Sequence, residues 1–393
     1  MKKNVLTGLW EACLLLPLCA SCSSNDALSL EYIMTNIVSS QHLVNGELKL
    51  PAQAKQNMIV DDVSVVLTEE RLLPKLTCTY NGIFITDAYF VNDGHLVIGF
   101  GNNHTHEAPR DTVFIAYGGT RIGYQAFKQA VNLSVTWAHS NITSCPSRLG
   151  AGYDDHLGFG FNSVEQTNEA TPIPPSDGGL LFKYGSLIGI PAGYNYAGSL
   201  SDDIVFPVNY PSELIANYAR FDSYDVVKTG NTDYVDEANA SGDPCVYASQ
   251  LMGNEHGWRL PTATECRELY NSLMVPYGHW QNNDNESGWL FGTNVLPDNA
   301  ADIINGAAPM PDGCVFLPAY GCLQASDSWT DVEDNGDSEF DYGFASGMGT
   351  KGYYWCRDGS VFSFDSGQAY DPVNQPPLAN NQNAYSVRCV RGN

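Results

Sequence analysis

The stretch Gly257-Trp258-Arg259-Leu260-Pro261-Thr262, continuing as Ala263-Thr264-Glu265-Cys266-Arg267-Glu268-Leu269, is the strongest local constraint in this 393-residue chain. Pro261 stops whatever precedes it, the Thr262 hydroxyl can cap a helix, and Glu265 three residues on completes a capping box. Cys266, Leu269, Tyr270 and Leu273 then fall at i, i+3, i+4 and i+7, so the apolar face of the predicted helix carries a cysteine. A buried cysteine needs a partner or a packing reason. Cys356, closing Tyr353-Tyr354-Trp355-Cys356, and Cys389, inside Tyr385-Ser386-Val387-Arg388-Cys389-Val390-Arg391, are available near the end of the chain. The C-terminal strand is therefore expected to return to this helix.

The other cysteines bear on compartment. Lys2 and Lys3 precede an apolar run from Leu6 to Leu18, the length of a secretory signal and too short to span a bilayer. Ala20-Ser21-Cys22 resembles a bacterial lipobox, which makes 1–21 a signal peptide and Cys22 the lipid-bearing first residue; the alternative is an ordinary signal cleaved near Ser21. A diacyl anchor would hold the protein on a membrane that no later apolar run is long enough to cross. With Cys13 and Cys19 lost and Cys22 lipidated, eight cysteines remain, an even number as an oxidised framework requires. No CxxC pair occurs among them, which disfavours a zinc ribbon or a thioredoxin-type site. Their spacing suggests Cys78 with Cys145 in a first domain and six cysteines in a second. The formal net charge of −25 argues against nucleic acid and anionic lipid headgroups as partners.

The length allows two cores. Residues 22–56 are polar and mixed, with a modest helical pattern around Tyr32 to Val38, and read as a lipidated tether. From Met58 the texture changes to short β-branched and aromatic segments: Val60 to Leu67, Lys75 to Tyr80, Ile83 to Val91, His95 to Phe100, Thr112 to Tyr117 and Val131 to Trp137. Turn signals at Asn81-Gly82, Asn92-Asp93-Gly94 and Gly118-Gly119 separate them. This predicts a β-sandwich over 57–171, immunoglobulin-like or fimbrillin-like. Pro172 to Asp177 reads as the boundary. Beyond it, Asp243-Pro244 predicts a helix over Cys245 to Met252 with Asp243 as its cap.

The Gly-Trp-Arg-Leu-Pro-Thr motif, Phe316-Leu317-Pro318-Ala319-Tyr320-Gly321, Gly352-Tyr353-Tyr354-Trp355 and the closing Tyr385–Arg391 run occur in one order across 172–393. Together they resemble the Fibrobacter succinogenes major paralogous domain, a family of bacterial surface proteins similar in fold to C-type-lectin-like domains. The resemblance implies an α+β C-type-lectin-like C-terminal domain outside the cytoplasm, and it makes Cys245 and Cys389 natural partners. It does not imply a reaction. Cys266, Cys314, Cys322 and Cys356 then allow three pairings, of which Cys322 with Cys356, on neighbouring strands, is expected.

Candidate chemistry is sparse. His104-Thr105-His106 lacks third and fourth metal ligands and reads as a solvated loop. Asp331, Glu333, Asn335 and Asp337 have the alternation of a calcium loop, but Tyr342 stands where a bidentate Glu belongs, so a solvated acidic loop with no cofactor is favoured and bound calcium is the alternative. Trp280, Trp289 and Trp329 fall in or beside Gly, Asn and Asp-rich stretches, where flat rings and polar groups suit glycan or peptide recognition; Trp258 and Trp355 read as core. Asp111-Thr112-Val113 resembles a short O-glycosylation motif of secreted Bacteroides proteins. No Gly-x-Ser-x-Gly, His-Glu-x-x-His or Walker loop is present, so no enzyme is expected.

These readings converge on an outer-membrane, cell-surface lipoprotein acting as an adhesin or binding module, including a fimbrial tip or accessory subunit. Its partners would be an extracellular glycan or protein, or fimbrial subunits, with membrane contact through the lipid alone. The alternative is a surface glycan-binding protein of a polysaccharide-utilisation system. A formylglycine-enzyme-like catalyst ranks lower, because the Arg-Gly-Gly-Ser-Trp signature of that related fold is absent.

Overall fold

The computed structural model describes residues 28–143, 176–192, 204–211, 213, 235–251, 257–279, 287–293, 302–305, 307, 313–324, 344–374 and 383–392. The signal segment, Cys22 and Cys145 lie outside them. Strand predominates over helix, and among the described residues no helix is long and apolar enough to cross a membrane.

The N-terminal half contains helix α1 (Leu30–Asn36) and strands β1 (Val38–His42), β2 (Glu47–Leu50), β3 (Lys55–Leu67), β4 (Leu76–Tyr80), β5 (Ile85–Phe90), β6 (His95–Phe100), β7 (Arg110–Tyr117), β8 (Thr120–Gln129) and β9 (Val135–Trp137). Two four-stranded sheets, ordered β1-β3-β6-β5 and β2-β8-β7-β4, contribute to one core. The period of two explains it: along β7 buried residues alternate with half-buried ones, putting Val113, Ile115 and Tyr117 inward against Val63, Val65, Leu96 and Ile98 of the other sheet. Asp111 joins the sheets. Its buried carboxylate accepts backbone N–H bonds from Ile83, Phe84 and Ile85 at 2.8, 3.0 and 3.0 Å, where β5 begins. The Asp111-Thr112-Val113 motif is thus part of a sheet bracket, with Thr112 half-buried.

Two boundary expectations are corrected. Residues 30–50, read as tether, belong to the folded unit: Ile33 and Leu50 enter its core, and β2 pairs with β8 in parallel. The C-terminal unit also begins earlier than Pro172. Val135 and Trp137 of β9 pack with Leu269, Trp289 and Tyr354, while Ala138 and Ile142 join a second C-terminal cluster. Exporting a few apolar residues across a boundary leaves no mark in local composition, whereas Pro174-Pro175 does.

The C-terminal half contains β10 (Leu180–Phe182), β11 (Ile190–Pro191), β12 (Val235–Asp236), β13 (Ser241–Gly242), helix α2 (Pro244–Leu251), helix α3 (Ala263–Asn271), β14 (Leu273–His279), β15 (Ser287–Gly292), β16 (Cys314–Pro318), β17 (Cys322–Gln324), β18 (Phe344–Ser346), β19 (Lys351–Trp355), β20 (Val361–Asp365), β21 (Ala369–Tyr370), β22 (Tyr385–Ser386) and β23 (Val390–Gly392). Six strands form the sheet β11-β10-β22-β19-β20-β21, and β14-β15-β16 form a second sheet. The short closing strand β22 sits centrally, antiparallel to β10 and parallel to β19. Aromatic rings fill the space around it: Trp355 lies 4.6 Å from Tyr385 and 5.2 Å from Tyr184, and its indole N–H donates to Phe182 O.

The halves meet along a built seam. β23 pairs with β9 inside the C-terminal unit, and across the seam Ala52 N–H donates to Thr293 O at 3.1 Å. Lys49 donates to the carbonyls of Tyr270 and Ser272 at 3.0 and 3.3 Å, and Lys128 donates to Asn271 Oδ1 at 2.6 Å. Two cations from the first unit therefore sit at the negative end of α3 in the second. Burial, with Lys128 beside it, lowers the Lys49 pKa to about 8.

Candidate functional site

The predicted capped helix forms as α3. Thr262 Oγ1 accepts from Glu265 N–H at 3.2 Å, and Glu265 accepts in return from Thr262 N–H at 2.8 Å. Arg259 clamps the same carboxylate with two nitrogens, at 2.6 and 2.8 Å. Burial opposes ionisation of Glu265, but these bonds outweigh it and hold its pKa below the usual carboxylate range. Cys266 and Leu269 are buried as the spacing predicts, whereas the helix ends at Asn271 and Leu273 opens β14. The return of the C terminus to this helix is also observed, since Arg259 and Val390 exchange backbone hydrogen bonds at 2.9 Å.

Asp243 ties the two helices together. One oxygen accepts from Cys245 and Val246 N–H, at 2.8 and 3.3 Å, as the N-cap of α2; the other accepts from Leu260 N–H at 2.8 Å, just ahead of α3. Burial raises its pKa to about 6 against those bonds. Cys245 at the start of α2 is disulfide-bonded to Cys389 ahead of β23, the pairing the resemblance implies. Arg388, fully buried beside it, donates to Phe316 O at 2.7 Å and Ala138 O at 3.3 Å.

Beside these elements lies a small apolar floor, built from residues next in sequence to segments outside the described residues. Leu181, Ile190, Leu323 and Ala384 form a small apolar cluster, with Ala192 packed on it. Segment 193–203 follows Ala192, 325–343 connects the paired strands β17 and β18, and 375–382 ends just before Ala384, whose backbone pairs with Leu323. Segment 280–286 joins β14 to β15, and Ser287 at its far end accepts from Ala319 N–H at 2.7 Å, three residues before β17. Gly321 makes that turn at φ +65°, where an added Cβ would fall 2.1 Å from Ser346 O, so only glycine fits.

Of the residues singled out from sequence, several take different places. Trp289 is corrected from ligand candidate to core: it is 6 % exposed, packs with Phe291, Leu317 and Phe364, and donates its indole N–H to Asp365 O at 2.7 Å. Trp289→Phe is expected to lower stability by about 1–2 kcal/mol through the lost hydrogen bond and volume; urea melts of the two proteins measure it, and no change would return Trp289 to the surface. Trp258 and Trp355 are core, as read. Trp280, Trp329, Asp331, Glu333, Asn335 and Asp337 lie outside the described residues.

The cysteine pairing expected for Cys322 and Cys356 is also corrected. Cys356 faces Cys266, with 3.3 Å between the sulfurs, while Cys322 packs in the cluster that holds Cys245 and Cys389. The start of β17 meets β19 through the Gly321–Gly352 bridge, at the opposite end of β19 from Cys356. Cys78 on β4 is half-buried, and burial pushes its thiol up to about 11; Cys314 opens β16.

His104 and His106 are on a loop, as read. Asn103 holds that loop by donating to Glu107 O and Ala130 O, at 2.9 Å each, and His106 Nδ1 is 3.7 Å from Glu268, which accepts from the Ser134 N–H and hydroxyl. Among the described residues no three His, Cys, Asp or Glu side chains gather as a metal group. Sequence reading missed Lys49, Lys128 and Glu268, because the seam they form joins positions more than 130 residues apart and leaves no local motif. No family model, curated protein or solved structure matches the chain.

Proposed function

We propose that this protein is a cell-surface lipoprotein that binds extracellular ligands, an adhesin or fimbrial accessory module rather than a catalyst. The N-terminal unit is read as an immunoglobulin-like or fimbrillin-like sandwich. The C-terminal unit is read as a C-type-lectin-like domain of the Fibrobacter succinogenes major paralogous kind, anchored through Cys22. The observation that carries the reading is that Ala192, Leu323 and Ala384, which stand in the sequence beside 193–203, 325–343 and 375–382, meet on one small apolar floor, behind which a disulfide and a buried hydrogen-bond hub fix the helices. Rigid scaffolds that display several long segments at one place are the usual architecture of recognition sites. The Cys245–Cys389 bond favours an oxidising compartment, in keeping with the signal-like N terminus.

Trp280 and Trp329, which follow β14 and β17 in the sequence, are the recognition residues in this reading. Full-length protein applied to arrays of glycans and extracellular proteins is expected to retain a ligand, with affinity falling at least about tenfold in Trp329→Ala or Trp280→Ala at an unchanged melting temperature. Equal retention by wild type and both variants would remove the aromatic site. Recovery of the native protein from cytosol, inaccessible to protease added to intact cells, would remove surface display.

A further inference from the structure

Cys266 and Cys356 are presented by elements that are independently fixed. Cys266 projects from the buried face of α3, whose start is held by the capping box and the Arg259 clamp. Cys356 follows β19 in a tight turn, where its N–H donates to Ser360 O and its carbonyl accepts from Gly359 N–H. The next residue, Arg357, donates its N–H to Pro261 O at 2.8 Å, directly ahead of the α3 cap. The 3.3 Å approach of the two sulfurs is thus set by backbone on both sides. Both side chains are buried, at 1 % and 0 % exposure, in one apolar cluster with Leu269, Phe362 and Val390.

We propose that Cys266 and Cys356 are joined as a second disulfide in the exported protein, a staple between α3 and the end of β19. A compartment that oxidises Cys245 and Cys389 also exposes these thiols to oxidation while the chain folds. The step is thiol–disulfide exchange with a small-molecule or protein disulfide as oxidant. The thiolate of one cysteine attacks that disulfide, forming a mixed disulfide and releasing one oxidant thiolate. The second cysteine's thiolate then attacks the protein sulfur of the mixed disulfide and expels the other oxidant thiolate. Two electrons pass to the oxidant, and the two cysteine protons end on its two sulfurs.

Burial also sets the reactivity of the pair. Desolvation, followed by the neighbouring Cys356, pushes the Cys266 thiol well above its ordinary range, so the nucleophilic thiolate is scarce once α3 is seated. Once formed, the bond is shielded from reductants by the same burial. With Cys245 on α2, both helices are then covalently tied to the strands behind the floor. This inference requires only the oxidising compartment and is independent of which ligand the protein takes.

Tryptic mapping of the exported full-length protein tests it, because Arg259, Arg267, Lys351, Arg357, Arg388 and Arg391 place the four cysteines on separate peptides. Protein unfolded in N-ethylmaleimide without reductant is expected to yield Leu260–Arg267 linked to Gly352–Arg357, at the summed mass less two hydrogens. Both peptides carrying maleimide, or Cys356 linked to Cys322 or Cys314, would overturn the proposal. Thiol titration of unfolded Cys266→Ala gives a second reading: a staple predicts one thiol more than wild type, because Cys356 is released, and a free pair predicts one fewer.

Discussion

Removal of the Cys245–Cys389 disulfide, in a Cys245→Ala/Cys389→Ala protein, is expected to destabilise the C-terminal unit by about 5 kcal/mol. The bond spans 144 residues, and a loop of that size gives the unfolded chain most of the freedom a single cross-link can remove. In the native state it fixes the start of α2 to the residue just before β23, so the variant also loses the covalent tie between the first helix and the strand that crosses to β9. Both cysteines are buried, at 0 % and 1 % exposure. Dithiothreitol is therefore expected to leave the bond intact under native conditions and to cut it in urea. Fluorescence of the buried Trp258 and Trp355 reports the unfolding of this unit. A loss below about 1 kcal/mol would mean that the unfolded chain is already held compact by other links.

The features legible in the sequence were those in which a few adjacent residues satisfy one another. The Thr262–Glu265 box and the Asp243-Pro244 start are of this kind, and both helices begin where read. Strands rich in β-branched and aromatic residues, such as β6 and β7, were legible as well. β8 was missed because Arg121, Gln125 and Lys128 interrupt its apolar residues, although burial still runs through Ile122, Gln125 and Phe127. Gln125 is 1 % exposed, so a polar residue takes an inward position of β8 that hydropathy does not mark.

Contacts that depend on tertiary placement were harder to see. The run Ser287–Gly292 is buried at every position, which is how a strand covered on both faces reads, and Trp289 follows that rule rather than the polarity of its flanks. The Cys266–Cys356 approach arises because Arg357 bonds to Pro261, a backbone contact across nearly a hundred residues that no spacing rule anticipates. Asp243 was recognisable as a cap, but not as the acceptor for Leu260.

That second role makes Asp243 the most consequential polar side chain behind the floor. Asp243→Asn keeps the shape and removes one acceptor oxygen, so a backbone N–H of α2 or of Leu260 is left facing an amide N–H in a site with no solvent exposure. The expected cost is about 3 kcal/mol at pH 7.5. The pH dependence has a definite sign. The folded-state pKa of about 6 lies above the ordinary 3.8, because burial disfavours the charge despite the three N–H bonds and Arg259. The folded protein therefore binds a proton that the unfolded chain does not, and this contribution to stability is complete below pH 3.8 and is lost as pH rises through 6. The amide of the variant cannot titrate. The stability gap between wild type and variant should widen on acidification, by roughly 1.4 kcal/mol between pH 7.5 and pH 5. Urea unfolding of both proteins at the two pH values measures the gap. A gap that stays constant would show that the carboxylate keeps its charge throughout, and that the N–H bonds outweigh burial at this position.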